Sequence, residues 1–328
     1  MKRTSSRYLL IALMLALTVA SLTILVGCGA DEPVAPTPDA NVEAALIPVT
    51  IGTLKTDDML PLWVAENEGL LEQAGLDVTI EVFPSALEQI AAISAGQIDG
   101  MMTDMAVPLN LITGGVPVRA VTALQSAPAG VVASADSGVT DVAGLAGKKT
   151  GSSSGTILEY IYDRALTDAG VPADQIVTEE VKKLDVRLEL LMAGQIDAAV
   201  LPWTLFGAAV GGGGVPVLGP AQVESYSQTV LGFSETFLAK EGAAETVTAL
   251  LQQWDAGVDI VNADPNAQRE LLGVATDLGD RLARYEVRTY PKAALPDRGK
   301  FEDVVQWMVE KGYLDAPIAY EDLVYVAE

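Results

Sequence analysis

Three aspartates and one hydroxyl-rich loop carry the most chemistry in this chain. Asp57 and Asp58 stand in Lys55-Thr56-Asp57-Asp58-Met59, and Asp104 stands in Thr103-Asp104-Met105. Carboxylates at the lip of a cleft favour an amine or amidine, because charge-assisted hydrogen bonds are the stronger ones. Ser152-Ser153-Ser154-Gly155-Thr156 offers the opposite. Hydroxyls and unpaired N–H groups at a helix start favour an anion such as sulfonate, carboxylate or phosphate. A zwitterion would satisfy both. Each feature also has a plainer reading. The aspartates can cap the helices that follow them, and the Ser/Gly loop can be one N-cap with a tight turn. No Gly-Lys-Ser/Thr triplet follows the loop, so it is not a P-loop.

Composition removes other chemistries. The 328 residues include no histidine and one cysteine, Cys28. Without imidazole there is no ordinary general base near neutral pH and no common metal ligand. Triads that use histidine, zinc sites and cysteine catalysis are excluded, and neither a metal nor a cofactor is expected. The formal charge is −24, with Lys2, Arg3 and Arg7 confined to the extreme N-terminus. Such an acidic chain repels a phosphate backbone, so no nucleic acid is expected, and it should stay soluble and monomeric.

The elements that must position these residues alternate. Short β-branched runs at 49–54, 77–83, 98–103 and 118–124 read as strands, separated by helical patterns at 62–74, 84–94 and 107–113. The rhythm restarts with strands at 130–134, 148–151, 176–181, 196–201 and 215–218. Helices fall between them at 139–145, 156–169, 185–193 and 205–210. Residues 229–239 read as strand-like, and 241–263 and 265–278 as helical. Strands alternating with helices predict an α/β fold with mostly parallel sheets. Ligands of such sheets sit beyond the carboxyl ends of the strands. That rule selects Thr56, Asp57, Asp58, Met59, Ser85, Thr103, Asp104, Met105, Ser152, Ser153, Ser154, Gly155, Thr156 and Trp203 as ligand-binding candidates. Gln125 and Ser234 join them near two expected crossings between lobes. Met59, Met105 and Trp203 suggest an apolar wall; Trp203 could equally be core.

The pentapeptide Ala-Gly-Gln-Ile-Asp occurs twice, at Ala95–Asp99 and Ala193–Asp197, each between an apolar helical pattern and a short apolar run. The repeat predicts two similar α/β lobes with a cleft between them. Gly96 and Gly194 should end helices in the left-handed region, Ile98 and Ile196 should start buried strands, and Asp99 and Asp197 should bond backbone in the turn.

The N-terminus adds a location. A basic start and an apolar stretch from Leu9 to Val26 end in Leu25-Val26-Gly27-Cys28, as in a secretory signal. The tetrad resembles the bacterial lipobox, which implies lipidation at Cys28 and a folded part outside the cytoplasm, lipid-anchored to the cell membrane. An uncleaved membrane anchor is the other reading. The expected organisation is a signal peptide over 1–27, an anchor and flexible tether over 28–46, lobe I from 47–125 plus 229–328, and lobe II from 126–228.

The stretch TDDMLPLWVAENEGLLEQAGLDVTIEVFPSALEQIAAISAGQIDGMMTDM, with the later VAGLAGKKTGSSSGT, resembles the extracytoplasmic solute-binding proteins of ABC importers. The branch it resembles serves aliphatic sulfonates, taurine, nitrate and thiamine-pyrimidine precursors. The likeness covers most of Val49 to Phe237. It implies a type II periplasmic-binding-protein fold, two lobes joined by two hinge crossings, and no catalysis. It also implies an ABC permease with its ATPase as partners. A small organic solute, anionic or zwitterionic, would bind in the cleft. A sensing receptor and a pyrimidine-synthase-like enzyme are the alternatives; the enzyme of that pathway needs a reactive histidine that this chain lacks.

Overall fold

The computed structural model describes residues 45–124, 129–223, 226 and 228–326. They form two five-stranded mixed sheets. The first holds β1 (Val49–Leu54), β2 (Val78–Phe83), β3 (Gly100–Asp104), β4 (Val118–Ala123) and, from much later in the chain, β10 (Thr229–Ser234). The second holds β5 (Ala129–Ala133), β6 (Thr150–Ser152), β7 (Thr178–Glu180), β8 (Ala198–Pro202) and β9 (Val215–Leu218). Their orders are β2-β1-β3-β10-β4 and β7-β6-β8-β5-β9, one pattern used twice.

The strand that arrives from the other lobe runs against its neighbours in both sheets. β5 is antiparallel to β8 and β9, and β10 is antiparallel to β3 and β4. The chain passes to the second sheet between β4 and β5 and returns between β9 and β10. Gln125, expected at the first crossing, lies outside the described residues, as does Cys28.

The repeated pentapeptide does the same work in each lobe. Gly96 and Gly194 adopt φ of 69° and 66°, ending the helices Ala86–Ser94 and Leu184–Met192. Ile98 then packs on Gly52 of β1, where an added Cβ would meet its Cδ1 at 2.6 Å. Ile196 packs on Gly151 of β6, where the same approach is 2.8 Å. The two aspartates reach the neighbouring strand rather than their own turn. The Thr50 N–H donates to Asp99 Oδ2 at 3.0 Å, and the Lys149 N–H donates to Asp197 Oδ2 at 2.9 Å. Their own N–H groups return the bond to the Thr50 and Lys149 carbonyls. Each unit thereby locks its helix–strand turn to the start of the strand that carries the lobe's site loop.

Three stretches depart from the sequence reading. The helix expected over 62–74 is broken at Gly69, φ 71°, into Leu60–Asn67 and Leu70–Gln73. The strand expected to reach Ala239 stops at Ser234, whose hydroxyl accepts from the Phe237 N–H and opens the short helix Glu235–Leu238. The helix expected over 139–145 is a single 3₁₀ turn at Ala143–Leu145. Among the described residues no helix is long and apolar enough to cross a membrane.

The segment after the long helix Ala243–Ala263 packs on both lobes. Tyr290 and Arg288 reach the loop after β1, while Trp307 and Tyr160 meet edge to face with ring centroids 5.3 Å apart. Tyr160 belongs to the second lobe's helix Ile157–Asp168. Inside the first lobe, Gly257 lets the helix Ala243–Ala263 press on Pro61. A Cβ there would sit 1.9 Å from the Pro61 carbonyl oxygen. Alanine in a helix interior gains about 1 kcal/mol over glycine. Overpacking a tight crossing costs about 1–3 kcal/mol, occasionally more. Gly257→Ala is therefore expected to lose stability in urea unfolding despite its better helix propensity; a gain would contradict this crossing.

Candidate functional site

A small pocket lies between the sheets, beyond the carboxyl ends of β1, β3, β6 and β8. The first lobe contributes Leu54, Thr56, Asp58, Ala86, Met102, Thr103, Asp104 and Thr229. The second contributes Ser153, Thr156, Ile157, Leu158, Lys182, Leu184 and Pro202. Its volume is ≈ 50 Å³, on the order of four water positions at ~10–15 Å³ each.

The lobes meet around it through several hydrogen bonds. The Asn110 amide donates to the Gly155 carbonyl at 3.2 Å, and the Thr204 hydroxyl donates to the Lys55 carbonyl at 2.8 Å. Lys55 Nζ lies 3.1 Å from Asp185 Oδ2 across the same gap.

The loop after β1, a polar loop by composition, is buried; Asp57 is 0% exposed. A cluster from far along the chain makes that possible. Arg288 Nε lies 2.8 Å from Asp57 Oδ2, and its Nη2 lies 2.7 Å from Asp58 Oδ1. The Tyr285 hydroxyl donates to Asp57 Oδ2 at 2.7 Å, and the Tyr290 hydroxyl donates to the Asp57 carbonyl at 2.8 Å. Burial pushes the Asp58 carboxyl up, against the pull of Arg288. Burial also opposes charge on Arg288, yet Asp57, then Tyr290 and Asp58, hold the guanidinium firmly protonated. Asp57 therefore anchors the loop, and Asp58 faces the pocket.

Asp104 ends β3 and caps the helix Ala106–Thr113, its Oδ1 accepting from the Ala106 and Val107 N–H groups at 2.9 and 3.2 Å. The Ile157 N–H of the other lobe also favours its charged form. Burial pushes its carboxyl up to about 6, opposed by these three donors and reinforced by the charge on Asp58. Thr103, 3% exposed, lines the pocket with a hydroxyl that has no hydrogen-bond partner.

On the far side the Ser/Gly loop meets the protein's own carboxylates. The Ser154 N–H donates to Glu180 at 2.9 Å, and the Gly155 N–H donates to Glu159 at 2.7 Å. Thr156 bonds back to the Ser153 carbonyl. Arg187, wholly buried, donates to the Val181 and Val200 carbonyls at 2.9 and 2.8 Å and to the Ser153 hydroxyl. Burial lowers its guanidinium to about 10. Among the described residues no group of three or more carboxylates or thiols is set to hold a metal.

The structure thus brings Thr56, Asp58, Thr103, Asp104, Ser153 and Thr156 together around one space. Ser85 is buried behind Ala86 as an N-cap accepting from the Glu88 N–H. Ser152 is buried at the end of β6, Ser154 faces Glu180, and Gly155 makes the turn at φ 70°. Met59, Met105 and Trp203, the expected apolar wall, lie in the hydrophobic core, where Trp203 meets Phe206 edge to face. Ser234 sits at the opposite edge of its sheet because β10 runs antiparallel. For the same reason Thr229, at the start of β10, lines the pocket. Had the return strand been read as antiparallel, its first residue would have been chosen. Arg187, Tyr285, Arg288 and Tyr290 carry no local motif.

Two outcomes follow. Removing Arg288 leaves Asp57 and Asp58 buried without their cation, which costs about 3–5 kcal/mol. Arg288→Met is expected to show that loss in urea unfolding, and a loss under 1 kcal/mol would contradict the buried cluster. For Asp104 the folded value lies above the ordinary 3.8. The folded state therefore binds more protons between the two values, and stability falls as pH rises from about 4 through about 6. Asp104→Asn escapes that cost. It should unfold at higher urea than the parent at pH 7.5, with a difference that vanishes near pH 4. A pH-independent difference would contradict the burial of this carboxyl.

Known proteins share this architecture. The periplasmic aliphatic sulphonate binding protein SsuA of Escherichia coli superposes with TM-score 0.71 at 17% identity, over 85% of this chain and 92% of its own. The ligand binding component of an ABC-type import system from Staphylococcus aureus gives 0.69 at 13%, over 84% and 96%. The periplasmic nitrate-binding protein NrtA of Synechocystis PCC 6803 gives 0.65 at 16%, over 85% and 84%. At such identities these likenesses establish the two-lobed α/β fold. No curated protein matches the sequence itself. The family described as "NMT1/THI5 like" matches residues 56–268, from the site loop after β1 to beyond the return strand, and the chain belongs to that family.

Proposed function

We propose that this protein is the solute-capturing component of an ABC-type importer. The observation that carries this reading is the pocket itself. It is lined from both sheets, at the strand ends where such sheets bind ligands. Thr56, Asp58, Thr103, Asp104, Ser153 and Thr156 are the side chains placed to hold a solute, with Asp57 anchoring the first loop. The lobes part to admit a small organic solute, close over it, and present it to a membrane permease driven by its ATPase. No covalent step is needed.

The chain acts outside the cytoplasm as a monomer, tethered through a lipid on Cys28, with the Pro- and Ala-rich residues that follow as spacer. The fold of the import-system ligand-binding component and the family membership support import over sensing.

A thermal-shift screen of small organic solutes tests the binding reading. A true ligand at a hundredfold excess over its Kd stabilises by about 2.7 kcal/mol. At least one solute should raise Tm saturably, and Thr56→Val with Thr103→Val should abolish that rise. A ligand whose stabilisation survives this double change binds elsewhere. For the tether, Cys28→Ala should move the protein from the membrane fraction to the soluble one; unchanged fractionation would remove the lipid.

A further inference from the structure

The chemistry of the pocket selects the charge of its occupant. Two backbone donors that could receive an anion at the second lobe's Ser/Gly loop already hold a carboxylate of this chain. Ser154 N–H has Glu180, and Gly155 N–H has Glu159. The Arg187 guanidinium is spent on two carbonyls and the Ser153 hydroxyl.

The first lobe presents the opposite imbalance. Among the described residues no lysine or arginine stands within salt-bridge distance of Asp104. Arg288 is shared between Asp57 and Asp58, and Lys55 is held by Asp185 and Asp277. Lys182 at the rim lies 3.9 Å from Glu180. Beside Asp104 the Thr103 hydroxyl, 3% exposed, lines the pocket without a partner. A buried carboxylate without a cation and a buried hydroxyl without a hydrogen bond are each costly unless something completes them. One group completes both: a positively charged N–H donor.

We propose that the solute carries a compact cationic head group, an ammonium or amidinium, received by Asp104 and Thr103 between the lobes. This rests on the solute-binding reading above and names the ligand class for it. It sets this pocket apart from one built for a bare sulfonate or nitrate.

The test uses the whole chain with four fragment probes at constant ionic strength. Methylammonium and acetamidinium are given as chlorides, methanesulfonate and nitrate as sodium salts. Two readouts are followed: Tm, and the ¹³C signal of the Asp104 carboxyl, assigned with Asp104→Asn. One or both cations should shift the signal and raise Tm saturably in the millimolar range. Asp104→Asn, which keeps the oxygen that caps the helix, should weaken that binding at least tenfold. Thr103→Val should weaken it severalfold without moving the Tm of the free protein downward.

Saturable binding by methanesulfonate or nitrate with none by the cations overturns the proposal and leaves a solute-binding pocket of opposite preference. Failure of the cations to saturate, with no binding by the anions, also overturns it. In that case the broader solute screen decides separately whether the pocket binds anything. Cation binding that is indifferent to Asp104→Asn overturns it as well.

Discussion

The cleft depends on one buried ion cluster. Arg288 joins Asp57 and Asp58 from more than two hundred residues away and, with Tyr285 and Tyr290, holds the loop after β1 inside the protein. Such clusters contribute little net stability against an apolar replacement, but half of one is very costly. Its value here is positional. With Asp57 fixed, the next residue, Asp58, faces the pocket, and the Lys55 carbonyl faces Thr204 of the other lobe. Tyr285 also rests on Gly207 of the helix Trp203–Gly211, where a Cβ would lie 2.6 Å from its ring. The C-terminal segment that supplies the cluster therefore bears on both sides of the cleft.

Around that point the two lobes are built alike. Each has a three-strand parallel half whose central strand carries a glycine under the isoleucine of the repeat. Each also has an aspartate that ties the preceding turn to that strand. The repeated part lies away from the pocket. The strand ends that face the other lobe differ in chemistry: acidic and hydroxylic in the first lobe, hydroxylic and already charge-satisfied in the second.

Much of this was legible in the sequence, and the rest was not for identifiable reasons. The alternation of strands and helices and the paired pentapeptide suffice for two α/β lobes, because hydrophobic period and turn glycines are local signals. Thr56, Asp58, Thr103, Asp104, Ser153 and Thr156 follow from the strand-end rule. Met59, Met105 and Trp203 fall to the core because each begins a helix turn that points inward, which the rule does not resolve. Arg288 and the tyrosines around Asp57 leave no local trace, since their partner is a tertiary neighbour. Ser234, chosen for its nearness to the return crossing, ends β10 at the sheet edge away from the pocket, since a single sequence does not announce that a returning strand runs antiparallel. The Ser/Gly loop reads as an anion site until its Ser154 and Gly155 N–H groups are seen to hold Glu180 and Glu159.

Capture of a solute in this pocket requires the two lobes to close on it. Leu87 and Val186 are exposed residues on opposite lobes, on the helices Ala86–Ser94 and Leu184–Met192, and between the lobes the Lys183 and Glu88 charges lie 3.9 Å apart. Cys28 is the only native cysteine, so Leu87→Cys and Val186→Cys in a Cys28→Ser background take spin labels at two defined sites. Pulsed electron–electron resonance then measures the distance between them without solute and with a saturating solute from the thermal screen. Closure gives a broad or longer distribution that collapses to a single short distance on binding. An identical distribution with and without a stabilising solute would contradict it.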